Sequence, residues 1–222
     1  MKRAEKAKKI SKILDDLYPK TPIPLEHSSA YTLIVAVMLS AQTTDKKVNE
    51  VTPKLFKLAD TPEKMIKLSR EKIIEAIRPA GLHNAKSKNI IATSYKLLME
   101  YDGKVPQTQK ELMDLPGIGR KSSDIMMRFV WGAPNIAVDT HVFRLLWRLG
   151  WTDSLDESKS AVTVNDTTPD QYKYAAHMQL ITHAKRVCTS KKPKCHICVI
   201  DEECDKRHVD VPKSKLREVV NA

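Results

Sequence analysis

The apolar positions of this chain recur every three or four residues, and no stretch shows the convincing period-two alternation of a half-buried strand. Residues 2–18 carry Ile10, Ile13, Leu14 and Leu17 on one face of a basic amphipathic helix, which Pro19 ends. Thr21-Pro22-Ile23-Pro24 reads as a stiff linker at a domain crossing. A largely apolar helix covers Tyr31 to Leu39, and Asp45 reads as the cap of a helix beginning at Lys46. Short helices over 46–58, 62–68 and 70–77 follow, each broken by Pro or by a Ser, Thr or Asp cap. Pro79-Ala80-Gly81-Leu82 is a turn, 84–100 an amphipathic helix, Asp102-Gly103 and Pro106 a loop, and 108–114 another helix. Beyond Asp139 the pattern predicts helices to Gly150, around 156–164 and over 169–186. There is no repeat of fixed period. The fold class is all-α.

Helix 108–114 runs into Leu115-Pro116-Gly117-Ile118-Gly119-Arg120-Lys121, and then Ile125, Met126, Phe129 and Val130 mark one buried face of a further helix. This reads as helix, tight hairpin, helix. Gly117 and Gly119 are expected to free the backbone for positive φ and for close approach of another backbone. Amide groups at such a hairpin and helix start form an anion site, and phosphate is the obvious anion. Gly117, Ile118, Gly119 and Arg120 are therefore candidate nucleic-acid contacts. Lys121, in the first turn beside Arg120, is open to two readings: a cation that grips phosphate, or an amine that loses its proton and attacks. Asp139 precedes Thr140-His141-Val142 and makes a good N-cap, which leaves one carboxylate oxygen facing outward for chemistry.

Charge narrows the partner. The 222 residues carry a formal net charge of +11, which favours a polyanion, nucleic acid before anionic membrane. No apolar run approaches the length of a membrane span and Met1-Lys2-Arg3 leads into no signal-like segment, so the expectation is a soluble, cytoplasmic protein. The four cysteines read Cys188-x6-Cys195-x2-Cys198-x5-Cys204. Clustered so tightly in an intracellular chain, they argue for metal rather than disulfides. Zinc prefers two short C-x2-4-C knuckles, and only the middle pair has that spacing; the wider outer gaps suit an iron–sulfur cube. Lys191, Lys192 and Lys194 lie in the first cysteine loop with no acid among them, either simply solvated or presented to phosphate.

Hairpin, Asp139 and cysteine spacing together resemble the endonuclease III family, DNA glycosylases of the helix-hairpin-helix superfamily with a [4Fe–4S] cluster. The resemblance extends to Leu39-Ser40-Ala41-Gln42-Thr43-Thr44-Asp45 and to Gly81-Leu82-His83-Asn84-Ala85-Lys86, and covers nearly the whole chain. It implies a six-helix lobe over residues 22–133, with the helix-hairpin-helix at about 108–130. A cluster lobe would join residues 1–21 to 134–222, and damaged double-stranded DNA would lie in a cleft between the lobes of a monomer. It assigns Lys121 as nucleophile, Asp139 as catalytic carboxylate, and Cys188, Cys195, Cys198 and Cys204 as cluster ligands. Gln42 and Leu82 match the positions that plug or wedge the duplex when a nucleotide is flipped. Without the resemblance they would read as a helix-end polar residue and an ordinary buried leucine. The implied activity is removal of oxidised pyrimidines with β-elimination through a lysine Schiff base. The adenine glycosylase branch is the near alternative. It carries a catalytic carboxylate where this chain has Ala36, generally lacks the nucleophilic lysine, and adds a C-terminal domain. A non-catalytic DNA-binding module is the alternative from another class.

Overall fold

The computed structural model describes residues 2–18 and 23–207. The helix stop expected at Pro19, the Thr21-Pro22 half of the linker, and the chain beyond Arg207 lie outside the described residues. Among the described residues the regular structure is entirely helical, as the apolar periodicity requires. In order these are α1 (Arg3–Leu17), α2 (Ala30–Leu39), α3 (Asp45–Leu58), α4 (Pro62–Met65), α5 (Arg70–Ile77), α6 (His83–Glu100), α7 (Gln109–Met113), α8 (Arg120–Trp131), α9 (Thr140–Arg148), α10 (Glu157–Thr167) and α11 (Asp170–Arg186). Single 3-10 turns at Arg78–Ala80 and Cys195–Ile197 complete the set. No helix among them is long and apolar enough to cross a membrane.

Caps set most of the boundaries. Ser29, Thr61, Ser69, Thr108 and Asp156 each accept a backbone N–H from the first turn of the helix they precede. The start of α3 differs from expectation. Thr44 is the cap, with extended backbone and its hydroxyl accepting from Lys47 N at 3.3 Å, and Asp45 is already helical. Its carboxylate instead complements the positive end of the helix from inside the first turn. Helix α4 is shorter than the pattern suggested: beyond it the bonds tighten to three-residue spacing, Lys67 N donating to Lys64 O and Leu68 N to Met65 O, each at 3.2 Å.

The chain divides into two compact units. One spans Ile23–Gly132 and contains α2 to α8. Its central rod is α2, whose residues from Tyr31 to Leu39 are all buried, the mark of a helix packed on every side. Helices α3, α6 and α8 lie against it. The other unit combines α1 with the chain from Ala133 onward. Ile10 and Leu14 of α1 enter a core with Val142, Leu146, Leu180 and Ala184, and each large side chain so buried contributes about 2 kcal/mol. Polar ties fix α1 on α11: the Tyr18 hydroxyl and His183 Nδ1 are 3.1 Å apart, and Gln179 Nε2 donates to Asp15 Oδ1 at 2.9 Å.

Candidate active site

Lys121 is the second residue of α8 and exposed. The hairpin that delivers it is anchored at Leu115 and Ile118, both buried, with Thr93 Oγ1 donating to Pro116 O at 2.9 Å. Gly117 has φ +81°, and a Cβ added there would lie 2.6 Å from Asn89 Nδ2, so conformation and space both demand glycine. Gly119 departs from the expected positive φ. It is the N-cap of α8 at φ −99° and ψ −176°, a conformation open to any residue. What glycine supplies there is the absence of a capping side chain, so the first N–H groups of α8 keep no side-chain acceptor at the cap. Arg120 does not simply project outward: its Nε pairs with Asp124 Oδ2 at 3.2 Å, and the buried Asp124 also accepts from Gln109 Nε2.

Asp139 caps α9, with Oδ1 accepting from both His141 N and Val142 N at 2.8 Å. The three residues before it, Ile136, Ala137 and Val138, are buried. Asn165 clamps Ile136 from both sides, accepting its N–H at 2.7 Å and donating to its carbonyl at 3.0 Å. His177 Nδ1 lies 2.8 Å from Ala137 O. These clamps fix the approach of the backbone to Asp139. Nothing in the sequence marks Asn165 or His177 for that role, because a polar residue on a helix reads as solvated by default.

Gln42 and Leu82 share an uncommon backbone. They have φ +54° and +48°, the left-handed region that costs a residue with a Cβ about 1–2 kcal/mol. Leu82 is 54% exposed, so it is not the ordinary buried leucine its residue type would suggest. Gln42, also exposed, lies in a turn beyond the end of α2 rather than at the helix end. Ala36, by contrast, is fully enclosed within α2.

The four cysteines are free thiols, all lining one cavity with Arg148, Leu149 and His183. Two buried arginines hold the loop. Arg144 donates to the carbonyls of Ala184 and Cys188 at 2.8 and 3.0 Å, and Arg148 to those of Thr189 and Ser190 at 2.7 and 3.0 Å. Arg148 Nη1 and Lys206 N also donate to Cys188 Sγ and Cys204 Sγ at 3.4 and 3.3 Å. Burial pushes the Cys198 thiol up and the Cys204 thiol to about 11. Among the described residues no group of three or more His, Cys, Asp or Glu side chains is arranged as a site for a metal ion. Lys191, Lys192 and Lys194 are exposed on the loop, whose base is tied by Lys194 N donating to Val187 O at 3.0 Å.

Residues 35–165 match the HhH-GPD superfamily of base excision DNA repair proteins. Endonuclease III of Buchnera aphidicola subsp. Baizongia pistaciae is 39% identical over 197 residues, spanning 89% of this chain and 92% of that protein. A non-covalent endonuclease III–DNA complex is similar with a TM-score of 0.85 and 33% identity, over 93% of this chain and 97% of that one. A trapped covalent endonuclease III–DNA intermediate is similar with a TM-score of 0.81 and 35% identity, over 89% and 95%.

Proposed function

The chain belongs to the endonuclease III family within the HhH-GPD superfamily of base excision DNA repair proteins, and from that premise we propose a bifunctional DNA glycosylase and abasic-site lyase that acts on oxidised pyrimidines in duplex DNA. The observation that carries the reading is Lys121, an exposed amine one residue into a glycine-capped helix, in a chain so similar to a protein trapped covalently on DNA.

The chemistry runs through two side chains. Lys121 Nζ, having given up a proton, attacks C1′ of the extruded nucleotide; the C1′–N bond breaks and the base leaves with its electron pair. The ring opens to a protonated Schiff base between Nζ and C1′. That electron sink acidifies C2′; loss of a C2′ proton expels the 3′ phosphate and cuts the strand. Asp139 faces the positive charge that grows on the sugar and relays protons between these steps. Its capping bonds at Oδ1 hold the carboxylate in one orientation. Gln42 and Leu82 fill the space a flipped nucleotide leaves behind. The amides around Gly117 to Arg120 and the lysines at 191, 192 and 194 grip phosphate. Borohydride trapping of the protein on abasic duplex DNA tests the whole scheme. A covalent adduct is expected, and binding without adduct or nicking would leave only a DNA-binding module.

Cys188, Cys195, Cys198 and Cys204 would hold a [4Fe–4S] cluster. The donor set fits: four free thiols on one cavity, with N–H donors already directed at two of the sulfurs. When bound, the cluster supplies a rigid cross-link that fixes the basic loop, not a bond-breaking step. Purified protein should therefore be brown, with about four irons and four sulfides per chain. Colourless protein holding one equivalent of zinc would reverse this assignment.

Duplex affinity should fall steeply with salt. Lys191→Ala with Lys192→Ala should flatten the slope of log affinity against log salt by roughly one to two units. An unchanged slope would mean that the loop faces only solvent.

A further inference from the structure

Lys86 is 5% exposed, although it is a lysine in the first turns of α6. Its Nζ donates to Leu39 O at 2.8 Å, to Thr43 Oγ1 at 2.8 Å and to Ala80 O at 2.9 Å. An ammonium has three protons to donate, and each has an acceptor. Burial lowers the pKa of this amine, and no carboxylate lies among these acceptors to offset the loss of water. A buried cation held this way calls for a reason, and its position in the chain supplies one.

Leu39 and Thr43 bracket Gln42, and Ala80 stands two residues before Leu82. Thr43 Oγ1 donates in turn to Ala80 O, closing a small network around the ammonium. The Lys86 backbone N–H donates to Leu82 O at 3.0 Å. One residue is thus bonded to the turn that carries Gln42 and to the turn that carries Leu82, the two left-handed residues of this region. Left-handed backbone at residues with a Cβ persists only where the surroundings over-determine it.

We propose that Lys86 is a positioning residue for nucleotide extrusion, its ammonium joining the Gln42 turn and the Leu82 turn into one rigid two-pronged element. The inference rests on the reading that these two side chains enter the duplex. An element of this kind matters only where stacked, paired DNA must be opened. It has nothing to do when the nucleotide is already unpaired.

The test compares strand cleavage at an abasic site in a fully paired duplex with cleavage at the same site inside an unpaired bubble. Lys86→Met keeps the chain length and removes the ammonium. It should lower the duplex-to-bubble rate ratio about tenfold or more, with cleavage in the bubble near wild type. Thr43→Val removes only the hydroxyl of the network and should lower the ratio several-fold, while Thr43→Ser should restore it. This pair decides the matter should Lys86→Met fail to fold. Leu82→Ala is the control for the underlying reading. If it lowers the ratio while the Lys86 and Thr43 variants do not, the positioning role is wrong and the wedge assignment stands. If Leu82→Ala and Gln42→Ala both leave the ratio unchanged, the wedge assignment itself fails. Equal loss on both substrates in the Lys86 and Thr43 variants would make the network purely structural and overturn the proposal.

Discussion

Lys121→Gln will bind lesion-bearing duplex and give no borohydride-trapped adduct. Glutamine keeps polarity and most of the length but has no amine to form a Schiff base, so both base release and strand cleavage lose their nucleophile. Removing a covalent nucleophile from an enzyme costs on the order of 10^4 to 10^6 in rate, and a loss of that size is expected in single-turnover excision. Stability should change by less than about 0.5 kcal/mol, because the side chain is exposed at the second position of α8. The measurement therefore separates the two roles open to this lysine. A phosphate-gripping Lys121 would cost affinity and spare the adduct. A nucleophilic Lys121 spares affinity and loses the adduct.

Asp139→Asn will fold and bind normally and excise slowly. Both capping bonds fall on Oδ1, an atom that asparagine also carries, and Asn caps helices about as well as Asp. Losing the negative charge at the helix start removes at most about 1 kcal/mol. Catalysis is another matter, because the neutral amide no longer faces the cation developing on the sugar. Removing one such electrostatic element costs roughly two to four powers of ten in rate. Melting temperature and single-turnover excision, measured side by side, give the answer. Near-normal excision would return Asp139 to a structural role alone.

How much of this could be read beforehand depended on what each residue type reveals. Helix positions followed from apolar spacing, and the start of α3 moved by one residue where two cap residues stood side by side, at Thr44 and Asp45. Gly117 was legible because its turn needs positive φ, whereas Gly119 was misjudged: glycine at an extended cap serves by what it lacks. The four closely spaced cysteines all line one cavity. The arginines that shape it, Arg144 and Arg148, were illegible, since their residue type predicts exposure and only the tertiary fold buries them. Lys86 is hidden for the same reason: a lysine reads as solvated, and only the tertiary fold buries it. Leu82 shows the converse: by residue type alone an apolar side chain reads as core, the resemblance makes it a wedge, and in the left-handed turn it is exposed.

One unit of this protein is built from the two ends of its chain, with α1 docked on α11. On the ribosome α1 emerges before its packing partner α11, which follows some 150 residues later. At about 5–20 residues per second that interval is roughly ten to thirty seconds. Within it the unit formed by Ile23–Gly132 acquires all its residues, while Ile10 and Leu14 still await the core they belong to. The nascent protein thus carries a basic, apolar-faced helix through that interval, its core partners on α9 and α11 still to be made.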